Sequence, residues 1–398
     1  MLKQVFIDSI PGPTNHFGGH AIGNIASIKS KNNQLNPRKA ALEWLEKANK
    51  VFRIGGHQLI LPPQRRPLGF KKKSFTHSDI SSSFIWMANA GLFIPSIDSQ
   101  LKEHQFIPAN MKQSKHRKIE YPFHQHWIKK VLLNSKCNFH NILNENDEGS
   151  ANTIRLWHKN HEGGVNVFVY GTSSDKFSIR QSKISCQKMI ESTKPKHWMM
   201  LEQTKEAIDA GVFHNDVISF GFKNTIICHE KAFLNQKKEL FKLKNLYENS
   251  LKTPLNIIEI SNKELSLDTA VATYLFNSQV IEINNKFELL CPIQVKHHRN
   301  SVAITEEWLS NGLFNKIHFV NVESSLKNGG GPACLRFCLY LTNNEINEIP
   351  NAFKLNKLKY QKIRKIINED YPTAFNFKEV QKNPNHFRKI VKKLEQLF

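Results

Sequence analysis

From residue 165 onward the chain alternates short apolar runs with helical stretches, and this alternation most limits what it can fold into. The runs are "VNVFVYG" (165–171), "TIICH" (225–229), "LNIIEI" (255–260), "VIEI" and "KFELLCPI" on either side of Asn284–Asn285 (280–293), "IHFVNV" (317–322) and "CLRFCLYL" (334–341). Each has the length and β-branched or aromatic content of a strand. The Asn284–Asn285 pair suits a two-residue hairpin turn, because asparagine tolerates left-handed backbone angles. Between the runs, "SLDTAVATYLFNS" (266–278) and "ITEEWLSN" (304–311) read as helices. Strands interleaved with helices predict an α/β fold with short sheets.

The first third reads as loop and helix. "PGPTNHFGGHAIGNIAS" (11–27) is too rich in Gly, Pro and Asn for a regular element. "NPRKAALEWLEKANKVF" predicts a helix with Asn36 as N-cap and Pro37 at its first position. "SSSFIWMANAG" (81–91) predicts a short helix opened by serine and closed by Gly91. Residues 344–398 read as lysine-rich helix. No sequence repeat of fixed period shows, so the pattern leaves the number of structural units open.

With 398 residues, 40% of them hydrophobic, the chain can bury a large core, either as two domains or as one repeated architecture. It has no apolar run of about 18 residues, so no membrane span is expected. The opening "MLKQVFIDSIPGPT" lacks the apolar stretch of a signal peptide, and a cytoplasmic location is expected. Six cysteines, at 137, 186, 228, 291, 334 and 338, have the spacing of neither a zinc site nor a disulfide framework. Reduced thiols are then the default, and a cysteine with a special role owes it to reactivity. The net charge of +22 would suit an anionic partner. The lysines are scattered, however, and the clusters "KKK", "KHRK" and "KHHR" are short and carry no interleaved aromatics. A solvated basic surface is the expectation, without a nucleic-acid partner.

One loop raises a chemical question. In "KNGGGPACLRF" (327–337) three glycines precede Pro332 and Cys334. Glycine loses more backbone freedom on folding than any other residue, so the triplet should have a use. It would let backbone approach a ligand, with Cys334 held as a nucleophile at the start of an apolar strand. An ordinary buried cysteine after a surface loop fits the loop equally well.

A cysteine nucleophile needs a proton carrier. "AGVFHNDVISFG" (210–221) offers His214 and Asp216, which in a strand would face one pocket with Asn215 behind. A carboxylate to orient the histidine could come from "NENDEGSANTIRL" (144–156), which contains Asp147 and Glu148, although by itself this is any acidic loop. Arg180, at the end of a plausible strand in "FSIRQSK", and His116 and Arg117, in "KHRKIEYP", could bind carboxylates, or could be surface cations.

Taken together and in order, the segments are more specific than any one of them. They are "GPT" (12–14), "GNIAS" (23–27), "NP" (36–37), "LPPQRRP" (61–67), "WMANA" (86–90), "PSID" (95–98), "FIPANM" (106–111), "KHRKIE" (115–120), "DEGSANTIRL", "VFVYG", "RQS", "DAGVFHNDVI", "HEKAF", "AVATYLFNSQ" and "NGGGPACLR". Over about 12–340 the chain resembles the N-succinylarginine dihydrolases of the amidinotransferase (pentein) superfamily. The resemblance implies a five-bladed, pseudo-fivefold α/β propeller, with 1–398 a single catalytic domain and 344–398 its lysine-rich helical C-terminal part. It implies Cys334 as nucleophile, His214 as general acid and base, and Glu148 as catalytic carboxylate. Substrate contacts are implied for Gly18, Gly19, His20, Ala21, Ile22, Gly23, Asn24, Ile25, Ala26 and Ser27 of the early loop, and for Asn89, His116, Arg117, Arg180, Asp216 and Asn328. The implied activity is hydrolysis of N2-succinyl-L-arginine, a small-molecule substrate, with no cofactor and no metal, in a homodimer. An arginine deiminase or methylarginine hydrolase of the same superfamily would use the same cysteine chemistry and is the alternative. A basic nucleic-acid-binding protein, supported only by the charge, is a more distant one.

Overall fold

The structure is a computed structural model that describes residues 2–14, 23–66, 75–80, 85–114, 116–159 and 163–398. Within these, β1 (Lys3–Ser9) pairs in parallel with β2 (His57–Leu61), Val5 opposite His57. The next three strands, β3 (Gly91–Ile94), β4 (His104–Pro108) and β5 (Cys137–Phe139), make a second sheet. β6 (Thr153–Trp157), β7 (Gly164–Tyr170) and β8 (His197–Glu202) make a third, and β9 (Ser219–Phe222), β10 (Thr225–His229) and β11 (Asn256–Ile260) a fourth. β12 (Gln279–Ile283), β13 (Lys286–Pro292) and β14 (Lys316–Val320) form the fifth. The last strand, β15 (Phe337–Leu341), returns to pair antiparallel with β1, from Lys3 opposite Leu341 to Ile7 opposite Phe337.

All five sheets are the same unit. A first strand pairs antiparallel with a second, and the second pairs in parallel with a third. Parallel neighbours need a crossover, and each unit supplies a helix for it. The crossover helices are Pro37–Ile54, Tyr121–Val131, Lys183–Thr193, Gln236–Leu251 and Arg299–Ser310. This is the five-bladed α/β propeller that the resemblance implied, with the ring closed by the pairing of the first described strand with the last. Residues from β3, β6, β9 and β15 line a central cavity of about 110 Å³, so the first strand of a blade faces the axis.

Local chemistry explains the elements. Asn36 caps its helix by accepting from the Lys39 N–H at 2.8 Å, and Gly55, at φ +106°, ends it. Asn284 and Asn285 both take the left-handed angles that the β12–β13 hairpin requires. The C-terminal helices Lys357–Asp370, Phe377–Lys382 and Pro384–Glu395 pack beside the first blade, where the Tyr371 hydroxyl donates to the Pro11 carbonyl at 2.6 Å. No described helix is long and apolar enough to cross a membrane.

Three expectations need correction. Strands β1 to β5 lie in the stretch read as loop and helix; β3 to β5 span only three to five residues each, too few to show a period. Gly91 does not close a helix. It opens β3 after a 3-10 turn at Met87–Asn89, where a side chain would lie 2.3 Å from the Ile107 carbonyl oxygen. Arg180 lies in the loop before helix Lys183–Thr193, not at a strand end.

Candidate active site

The turn entering the first strand of each blade carries polar side chains, and the five turns meet. Four are 3-10 turns, at Met87–Asn89, Gly149–Asn152, Asn215–Val217 and Leu275–Asn277, and the fifth contains Cys334. Hydrogen bonds link each turn to the next. Asn89 Nδ2 donates to the Glu148 carbonyl at 2.6 Å, and the Asn215 N–H donates to Asn152 Oδ1 at 2.9 Å. Asn277 Nδ2 donates to the Asp216 carbonyl at 3.2 Å. The Ala333 N–H donates to the Asn277 carbonyl at 3.0 Å, and the Ala88 N–H closes the ring on the Cys334 carbonyl at 3.1 Å.

The glycine triplet has a steric reason. An added Cβ at Gly329 (φ +90°) would lie 1.6 Å from Asn24 Nδ2, at Gly330 1.9 Å from Trp86 Nε1, and at Gly331 2.5 Å from Asn277 Oδ1. The loop is therefore pressed against three side chains, and only glycine fits between them. Cys334 itself lies in the turn that follows, three residues before β15, rather than at the strand start that the sequence suggested.

Around Cys334 the groups are close and buried. Its Sγ donates to Asp216 Oδ2 at 3.6 Å and accepts from Asn277 Nδ2 at 3.2 Å. Burial and the Asp216 carboxylate push the thiol well above its ordinary value, against the Asn277 hydrogen bond. Asp216 Oδ1 is buried and has no hydrogen-bond partner among the described residues, and burial raises this carboxyl too. The site thus holds a neutral thiol beside a carboxylate oxygen that lacks a donor.

His214 Nε2 meets Glu148 Oε2 at 2.6 Å, and Arg180 Nη1 meets Glu148 Oε1 at 3.3 Å. Burial raises the Glu148 carboxyl, but Arg180 and His214, helped by Arg117, hold it well below the usual carboxylate range. His214 and Asp216 reach one site, though not as alternate residues of a strand. His214 is extended, and the 3-10 turn at Asn215–Val217 then swings Asp216 back towards Cys334.

The remaining sequence candidates fall into groups. Gly18, Gly19, His20, Ala21 and Ile22 lie outside the described residues. Asn24 caps the short helix Ile25–Lys29, accepting from the Ser27 N–H at 3.0 Å, and donates to the Asn328 carbonyl at 3.2 Å. This ties Gly23, Asn24, Ile25, Ala26 and Ser27 to Asn328 and the glycine loop. Arg117 donates through Nη1 to Asn89 Oδ1 at 2.9 Å and through Nε to Glu120 Oε2 at 3.0 Å, while its buried Nη2 has no hydrogen-bond partner among the described residues. The His116 carbonyl accepts from Arg66 Nη1 at 2.9 Å, and Arg66 also pairs with Glu120 at 2.7 Å.

Sequence reasoning passed over Asn277, Asn152, Trp86 and Arg66. A signal for two of them was present. Asn89, Asn152, Asn215 and Asn277 recur at close to the 63-residue interval that separates Asn152 from Asn215, one in the turn of each blade except the one entered through Cys334. Asn277 escaped notice because it ends an apolar stretch read as helix. The helix in fact stops at Thr273, and Tyr274 takes a left-handed angle.

Comparisons with known proteins identify the family. A sequence model of the family described as succinylarginine dihydrolase matches residues 2–79 and 69–398. The N-succinylarginine dihydrolase of Pseudoalteromonas atlantica is 30% identical over 405 residues, covering 92% of this chain and 90% of that one. The enzyme of the same name from Aliivibrio fischeri is 33% identical over 376 residues, covering 85% and 84%. Among solved structures, the N-terminal domain of ArgZ, an arginine dihydrolase of cyanobacteria, superposes with a TM-score of 0.58 at 14% identity, over 84% of this chain and 97% of that one. That likeness concerns the fold, whereas the family match spans nearly the whole sequence, and on it the chain belongs to the succinylarginine dihydrolase family.

Proposed function

We propose that this chain converts N2-succinyl-L-arginine and two waters into N2-succinyl-L-ornithine, two ammonia and carbon dioxide, through a covalent intermediate on Cys334. The observation that carries the mechanism is the unpartnered Asp216 oxygen beside the Cys334 thiol. A buried acceptor without a donor costs about 1–3 kcal/mol, which a guanidinium recovers by donating to it. The same cation, placed next to Sγ, lowers the thiol pKa where burial had raised it. The nucleophile is thus ionised by the substrate's arrival.

The thiol proton passes to His214 as the thiolate attacks the guanidinium carbon, and His214 returns it to the first ammonia as that leaves. The substrate remains on Cys334 as an S-amidino adduct. Water, deprotonated by His214, adds to the same carbon and the second ammonia leaves, giving an S-carbamoyl cysteine. A second water releases the thiol and a carbamate on the δ-nitrogen, which loses carbon dioxide to leave the ornithine amine. Glu148 stays ionised throughout and stabilises the imidazolium at each transfer. The free Nη2 of Arg117, together with Arg180, Asn89, His116, Asn328 and the loop carrying Gly23 to Ser27, would hold the succinyl and α-carboxylates.

We further propose that residues 1–398 act as one catalytic unit, in a cytoplasmic homodimer. Ammonia released per substrate consumed tests the reaction. Two is expected, and one would place the protein with the deiminases. Cys334→Ser should abolish turnover; near wild-type activity would refute the covalent step.

A further inference from the structure

We infer that Asn277 is a catalytic residue, the resident hydrogen-bond donor to the Cys334 thiolate. The inference rests on Cys334 being the nucleophile. Asn277 touches the nucleophile in two ways. Its Nδ2 donates to Sγ at 3.2 Å, and its Oδ1 accepts from the Cys334 N–H at 3.3 Å. Its backbone carbonyl accepts from the Ala333 N–H at 3.0 Å. The carboxamide therefore grips both the backbone and the reacting atom of the nucleophile.

The side chain is completely buried, and its environment fixes it. Its Nδ2 also donates to the Asp216 carbonyl at 3.2 Å, so the cation-binding carboxylate and the nucleophile hang from one amide. The loop is built around it: at Gly331 any side chain would strike Asn277 Oδ1 at 2.5 Å. That close approach is the use of the third glycine.

The chemistry follows from the charge. Sγ lies against the Asp216 carboxylate, which opposes thiolate formation. A donor to the charged form favours it. Asn277 can donate without titrating, so its help is constant with pH. It serves twice, once when the thiolate forms to attack the guanidinium carbon and again when the thiolate departs from the S-carbamoyl intermediate. Neither step needs Asn277 to gain or lose a proton.

The test compares Asn277→Asp and Asn277→Leu with the unmodified enzyme in two assays. The first is alkylation of Cys334 by iodoacetamide from pH 7 to 10, with Cys334→Ser as the background for the other cysteines. Below the thiol pKa the rate tracks the thiolate fraction, so an upward shift of one unit slows alkylation about tenfold at every pH. Both variants should alkylate at least about tenfold more slowly. Asn277→Asp should recover part of the loss at the acidic end, where a protonated carboxyl can donate in place of Nδ2. The second assay is steady-state turnover. Here kcat should fall by a similar factor, with KM for N2-succinyl-L-arginine changed less than threefold. Wild-type alkylation rates in either folded variant overturn the inference.

Should neither variant fold, the side-chain amide of Asn277 can be followed by 15N NMR in the asparagine-labelled wild-type enzyme. Its resonance should move as Cys334 ionises, and the movement should vanish in Cys334→Ser. A resonance that does not move overturns the inference. The two readings fail separately. Turnover retained in Cys334→Ser removes the nucleophile itself, whereas a dead Cys334→Ser with unaffected Asn277 variants removes only the role of the amide.

Discussion

Glu148, in the turn before β6, and Asp8, near the end of β1, are both carboxylates closed to solvent and paired with cations, yet they meet opposite fates. Asp8 contacts the Lys47 ammonium at 2.8 Å and the Gln58 amide at 3.0 Å. Burial still wins there: it raises the Asp8 carboxyl and lowers the Lys47 amine. Glu148 has Arg180 and His214 on its two oxygens, and the cations win. One compact ammonium does not offset the desolvation of two charges, whereas a guanidinium and an imidazole together hold the carboxylate ionised. A buried ion pair by itself therefore marks no reaction centre. The feature that separates the two regions is an excess of cationic donors around one carboxylate.

The contrast can be broken most severely at Glu148. Glu148→Gln keeps the shape but removes the charge that stabilises protonated His214, and kcat should fall about 10²- to 10⁴-fold. Single-turnover ammonia release measures it, and a loss under tenfold would put the catalytic carboxylate elsewhere. Asp8→Leu should leave kcat per folded molecule unchanged while stranding Lys47. The expected loss of stability is about 3–5 kcal/mol, and the paired change Asp8→Leu with Lys47→Met should restore most of it. Urea unfolding of the single and double variants decides the point.

Smaller effects sharpen the same comparison. Gly330→Ala drives a methyl into Trp86, whose indole N–H donates to Ser325 Oγ at 3.0 Å. Overpacking of this kind costs about 1–3 kcal/mol. By displacing the nucleophile's loop it should also slow turnover about tenfold or more. Unchanged kinetics would show that the loop tolerates movement. Asp147 offers the mildest test. It precedes Glu148 but has no cation: burial raises its carboxyl to about 7, only partly opposed by the Gly149 N–H at 2.8 Å. Its folded pKa lies above the unfolded one. Stability therefore falls as pH rises from about 4 to about 7, by at most about 1.4 kcal/mol per pH unit. Asp147→Asn should flatten that slope in urea titrations at pH 5, 6 and 7, and an unaltered slope would exclude the shift.

The sequence displayed the site more clearly than the fold. His214 and Asp216 stand in a short polar island within an apolar stretch, legible because buried polar groups need a reason; Glu148 reads alone as any acidic loop and Cys334 as an ordinary buried cysteine, and only the ordered set of segments singles them out. Their geometry was less legible. His214 and Asp216 look like alternate strand residues, but a 3-10 turn, which leaves no periodic trace over three residues, brings them together. The fivefold repeat was hidden because the blades share backbone pairing rather than side chains; the recurring asparagines are its one visible mark. The first two blades were missed because their strands are short and β1 carries Lys, Gln, Asp and Ser among its apolar residues.

The closure of the ring by β1 and β15 has a consequence for the chain's birth. Strand β1 pairs with β15, which follows every other described strand in the chain, so one edge of β1 stays unsatisfied until the strands of the other four blades have been made. Contacts this distant in sequence form slowly. The turn carrying Cys334 belongs to that same late segment, so the proposed nucleophile arrives with the strand that closes the ring. Closing the ring and completing the polar cluster around Cys334 are thus one event in folding.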